Sequence, residues 1–175
     1  MKKSLKIAFA GIMSGLSVAL LALASVMWIL DYTAPIICGL LLIIAVESFG
    51  KKTAFTIFAS VCVLSIIVLP SKSAAMFYAA FCGYYPIIKK DIDKLKSRVL
   101  SVLIKFLIFN IGAVGSELIL VYVFGIPFDN ELGKAGIVIL LVAGYVILFT
   151  YDGLLKVLTL IYDKKYKKML EKYIK

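Results

Sequence analysis

The chain contains no histidine, a single tryptophan and four prolines, and its three cysteines lie far apart. Without histidine, the usual zinc sites, Ser-His-Asp catalysis and phospho-histidine relays are excluded. Cys38, Cys62 and Cys82 show no paired spacing, so they read as small buried apolar residues rather than a disulfide framework or metal site. The only Gly-Lys pairs, Gly50-Lys51 and Gly133-Lys134, lack the upstream glycine of a phosphate-binding loop, so the chain does not hydrolyse nucleotide by itself. Charge is also scarce. Only 17% of the 175 residues are charged, and most of these lie between long apolar runs rather than within them.

What is present is hydrocarbon. Hydrophobic residues make up 63% of the chain and the mean hydropathy is +1.05, more apolar surface than one soluble core can hide. In hydrocarbon every unpaired backbone polar group costs several kcal/mol, and the runs lack the alternation of barrel strands, so spanning helices remain. The pattern predicts an all-α, polytopic membrane protein forming a single membrane domain. Its six transmembrane helices run over about 7–30, 34–50, 54–69, 74–88, 99–124 and 135–161, with a basic tail over 162–175. The third and fourth spans are short for a bilayer, and Gly83-Tyr84-Tyr85-Pro86 predicts a kink in the fourth. The apolar stretch after Met1-Lys2-Lys3 runs on to Leu30, longer than a signal-peptide core, and reads as an uncleaved first helix.

Basic residues give the orientation. Lys2, Lys3 and Lys6, then Lys51 and Lys52, then Lys89, Lys90, Lys94, Lys96 and Arg98, and finally Lys164, Lys165, Lys167, Lys168, Lys172 and Lys175 fall in alternate gaps; the other gaps hold only Lys72 and Lys134. The positive-inside rule then places both termini in the cytoplasm of a multi-pass protein of the cell membrane. The formal net charge of +10 reports contact with anionic lipid headgroups rather than nucleic acid.

An ion at mid-bilayer is costly and calls for a partner or a cavity, so polar groups inside the runs are the most informative single residues. Toward the cytoplasm lie Glu47, Lys105, Asp152 and Lys156. Lys105 and Asp152 share a depth and are expected to form a structural ion pair. Glu47 precedes Lys51 by one turn and is expected to pair with it. Toward the outside lie Asp31, Asn110 and Glu117. Asn110 and Glu117, seven residues apart, share one helix face, and a cavity between the outer ends of the first, fourth, fifth and sixth helices would use Trp28, Asp31, Tyr78, Asn110 and Glu117. The excess of outward acids favours a cationic or hydrogen-bond-rich solute. Ala10, Gly11, Ser14 and Gly15 form two overlapping small-xxx-small pairs suited to close helix approach. Ile88, Ile92 and Leu95, and again Tyr166, Met169, Leu170 and Tyr173, recur at helical spacing among charges and read as amphipathic stretches on the membrane surface or against a partner.

The opening Lys6-Ile7-Ala8-Phe9-Ala10-Gly11-Ile12-Met13-Ser14-Gly15-Leu16, on a small chain of six spans, resembles the substrate-binding components of energy-coupling factor (ECF) transporters. That family carries an AxxxA strip near the start of its first helix, matched here by Ala10 and Ser14, with serine for the second alanine. Phe81-Cys82-Gly83-Tyr84-Tyr85-Pro86-Ile87-Ile88-Lys89 and Lys105-Phe106-Leu107-Ile108-Phe109-Asn110 are similar to an orphan subgroup of the family. The ligand signatures of its riboflavin, thiamine, biotin and folate members are absent. The resemblance implies a non-enzymatic subunit without cofactor that binds a vitamin-like solute for uptake. Its partners would be a membrane coupling protein, docked on the small strip, and two cytoplasmic ATPases that drive toppling of the binding subunit. The competing reading is a non-transport scaffold of the rod-shape-determining type. An intramembrane enzyme lacks a nucleophile-base or metal constellation.

Overall fold

The computed structural model describes residues 3–26, 30–95, 97–125 and 133–166. Among them the chain is helical, without strands. Helices α1 (Lys3–Val26), α2 (Thr33–Phe49) and α3 (Lys51–Val68) are followed by a broken element: α4 (Lys72–Phe77), a π-helical segment (Tyr78–Cys82) and α5 (Tyr85–Asp93). Then come α6 (Arg98–Tyr122), α7 (Gly133–Ile161) and a closing π turn (Tyr162–Tyr166). Four of these helices, α1, α3, α6 and α7, are long and apolar enough to cross a membrane; α2, with 17 residues, is shorter. The C-terminal residues of the predicted amphipathic tail, Met169, Leu170 and Tyr173, lie outside the described residues.

Packing follows from where each helix can afford side chains. Helix α2 is apolar from Ala34 to Val46, which suits burial on most of its sides, and it packs against α1, α3, α4, the π segment, α5 and α7, leaving Ile37 and Ile44 exposed. Its Ala45, Cys38, Leu42 and Ile43 are almost wholly buried. Helix α6 is the opposite case, with Val99, Leu103, Leu107, Ile111, Val114 and Leu118 all facing outward. Such a continuous apolar exterior suits contact with lipid.

The fourth run is irregular, and local chemistry explains it. The Gly83 N–H reaches back five residues to the Tyr78 carbonyl at 2.8 Å, closing the wide π turn, and Pro86, with no N–H to donate, starts a new helix rather than continuing the old one. The predicted kink therefore takes the form of a π turn followed by a restart. Unbonded carbonyls in hydrocarbon need partners; the carbonyl of Cys82 receives the Tyr151 hydroxyl at 2.8 Å. Glycines let the neighbours come this close. A Cβ on Gly39 would overlap the Tyr151 hydroxyl and the Cys82 carbonyl, and one on Gly112 would overlap the Ala80 carbonyl.

Candidate functional site

Helix α5 gathers the charges at one end of the bundle. Asp152 of α7 accepts from the Tyr85 hydroxyl (2.5 Å), from Lys105 of α6 (2.9 Å to Oδ2) and from Lys89. Lys89, only 4% exposed, also pairs with Asp93 one turn on at 3.1 Å, and Asp93 receives Lys105 at 2.8 Å. Two ammonium groups thus face two carboxylates. Buried charges of this kind are tolerated when each is paired and hydrogen-bonded. Lys105 and Asp152, expected as a pair, are in contact, but within a larger cluster.

Two further ties leave α5 toward the other side. Lys90 donates to Glu47 of α2 at 2.5 Å, and Lys51 of α3 pairs with Asp91. Glu47 was expected to pair with Lys51 and does not. Gly50, at φ +85°, ends α2 between them, so the two residues belong to different helices and lose the i,i+4 relation. The Lys51 hydrogen bond holds the exposed Asp91 carboxyl below its usual range. The α2 neighbour Ser48 meets Tyr162 at 2.9 Å, and the Phe9 ring of α1 lies 4.4 Å from Phe49. In the segment expected to be amphipathic, Ile92 is buried, Ile88 is half-buried and Leu95 is exposed, and its charges also fasten α5 to α2, α3, α6 and α7.

Tyr85, Lys89 and Asp93 are the residues that the sequence reading missed. Their signal is a register: positions four apart on one helix face, carrying a donor, a cation and an anion. It was hidden because Lys89 sits in a basic cluster just past an apolar run, where a lysine is ordinarily a topology marker.

Among the described residues expected to line an outer cavity, Asp31, Tyr78, Asn110 and Glu117, no hydrogen bond joins one to another. Asn110 donates to the Phe106 carbonyl of its own helix at 2.8 Å and accepts the Tyr145 hydroxyl of α7 at 3.2 Å, so it ties α6 to α7. Tyr78 is fully buried, its ring 6.1 Å from that of Phe58 in α3, and its hydroxyl has no hydrogen-bond partner. The π segment holds its side chain inside the bundle. Glu117 is exposed beside Val114 and Leu118, not enclosed, because α6 turns Phe109, Gly112 and Leu120 inward. Trp28 lies outside the described residues. Asp31 sits in the turn before α2, where one oxygen, Oδ2, accepts from Ser71 of the turn before α4 at 2.8 Å. Its other oxygen, Oδ1, is buried without a partner.

The small residues of α1 divide between two faces. Ser14 is buried and Ala10 packs partly against the core, so the pair matched to the family strip looks inward. Gly11 and Gly15 look outward, and a Cβ on either would meet nothing within 4 Å. Exposed Ser4, Ala8 and Ala19 extend this shallow stripe between Ile12, Leu16 and Leu23. No family model matches the chain, and no curated protein or solved structure matches it either.

Proposed function

We propose that the chain is the membrane-embedded substrate-binding subunit of an ECF-type uptake transporter for a vitamin-like solute. In this reading it has six spans, α4 to α5 making the fourth, with both termini in the cytoplasm of a cell-membrane protein. The alternation of contacts supports that topology: Glu47, Lys51, Lys90, Asp152 and Tyr162 meet at one end, and Asp31, Ser71, Tyr32 and Phe77 at the other. The first end is the one that the lysine count assigns to the cytoplasm.

The contrast between these ends carries the proposal. At the cytoplasmic end, charges from α2, α3, α6 and α7 are paired on α5. At the outer end, Asp31 has no cationic partner among the described residues, and one of its oxygens is buried unpaired. A subunit built this way receives a solute from outside and keeps its inner end closed, so delivery needs movement of the whole body on a partner. The outward stripe of Gly11 and Gly15 is the seat for that partner, the coupling protein. Ala10 and Ser14 hold α1 to its own bundle.

The scaffold reading keeps one observation in its favour, since Asn110 serves a helix-to-helix bond and not a ligand. It gives no role to the buried oxygen of Asp31. Isolation of a tagged full chain from its own membranes separates the two. A bound small molecule found by mass spectrometry, with two ATPases and a coupling protein, is the expected result. Wall-synthesis or cytoskeletal proteins and no small molecule would replace this reading by the scaffold.

A further inference from the structure

Asp31 differs from the other carboxylates whose pairs are described. Glu47, Asp91, Asp93 and Asp152 each meet an ammonium group. Asp31 meets only the neutral Ser71 hydroxyl through Oδ2, while Oδ1 is buried and unpartnered. The lysine nearest in sequence to Ser71 is already engaged. Lys72 donates to the carbonyls of Ile66 (2.8 Å) and Leu69 (2.7 Å), capping the end of α3, where a cation is favoured by the helix dipole. Nor does Asp31 cap α2: that helix starts after Tyr32 with no side-chain cap hydrogen bond. Tyr32, the residue that follows Asp31 in the chain, meets Phe77 edge to face at 5.6 Å and is more than half exposed. A carboxylate oxygen turned inward accepts only, so what suits it is an N–H or O–H donor, best a charged one.

Building on the binding-subunit reading above, we infer that Asp31 Oδ1 anchors an N–H-bearing cationic group, a primary ammonium or an amidinium, and that a carboxylate at this position is rejected. Ser71 positions the anchor by fixing the second oxygen. The same chemistry is offered by a free solute and by the ethanolamine headgroup of a lipid, and the two are separable by experiment.

The test uses the full chain in maltoside micelles, which carry no ammonium group. Methylammonium, benzylammonium and benzamidinium are titrated against it by calorimetry, with benzoate as the anionic control. At least one cation should bind saturably, benzoate should not, and Asp31→Asn should weaken binding tenfold or more while leaving the melting temperature in place. Ser71→Ala should weaken it less. In a second arm, nanodiscs of phosphatidylglycerol with and without phosphatidylethanolamine are compared. Protection of Asp31 from carbodiimide labelling only by the ethanolamine lipid, with no soluble cation bound, assigns the anchored group to lipid and overturns its assignment to a solute. No Asp31-dependent cation in either arm, or equal binding by Asp31→Asn, overturns the anchor itself. Recovery of the ATPases and coupling protein with both wild type and Asp31→Asn is scored separately, so the anchor can fail while the transporter reading stands, and the reverse.

Discussion

Asp152 shows what a single residue decides. Tyr85, Lys89 and Lys105 converge on its carboxylate, and Lys89 has almost no water to fall back on. Asp152→Asn keeps the shape and removes the charge, leaving Lys89 with Asp93 alone; a loss of about 3 kcal/mol in unfolding free energy is expected from breaking a buried pair on one side. Replacing both partners, Asp152→Leu with Lys89→Met, should recover much of that loss. Thermal unfolding in detergent checks both, and an unaltered Asp152→Asn would mean that the cluster is solvated. Gly39→Ala should cost about 1–3 kcal/mol, because the added methyl overlaps Tyr151 and the Cys82 carbonyl. Asp91 gives a smaller, pH-dependent effect. Its folded-state carboxyl is lowered by Lys51, so its contribution is present above the ordinary aspartate range and fades as pH falls through the lowered value. Asp91→Asn should remove only that acid-side slope. At this scale Lys105 and Asp152 were legible, because a charge two turns into an apolar run is conspicuous. Lys89 was not, because its burial comes from the packing of α5, restarted at Pro86, against α2 and α6.

Among the elements, the long apolar runs were legible because hydrocarbon leaves a helix no alternative. The π segment was not. Its extra residue is held by distant groups: Tyr151 takes up the Cys82 carbonyl, and Gly112 lets α6 come against Ala80. Spacing within the run carries no trace of either. Gly112→Leu should therefore separate α6 from the π segment and lower stability more than Gly115→Leu, whose Cβ position is open. The Asn110–Tyr145 bond predicts a modest coupling between α6 and α7, about 0.6 kcal/mol in a double-mutant cycle with Asn110→Leu and Tyr145→Phe. Zero coupling would remove that bond as a tie and return Asn110 to the list of ligand candidates. The α1 stripe was half legible. Four small residues were visible at packing spacing, but which pair faced outward depended on how α1 lies on α2 and α3.

For the whole molecule, the lysine distribution and the ion pairs make one statement: the end rich in lysine is the end where α5 fastens the helices. A thiol at Lys52→Cys should be reached by a membrane-impermeant reagent only in opened cells, and one at Tyr32→Cys in intact cells. Reversed labelling would invert the topology and put the closed end outside. The proposal that the body moves as a unit on a partner is tested most directly by quantitative co-isolation of wild type and a Gly11→Leu/Gly15→Leu variant from native membranes. Both glycines have open space, so the variant should fold and melt as wild type does. Wild type should bring down a coupling protein and two ATPases, and the variant should lose them at least tenfold. Equal recovery by the variant, or no such proteins with wild type, would contradict it.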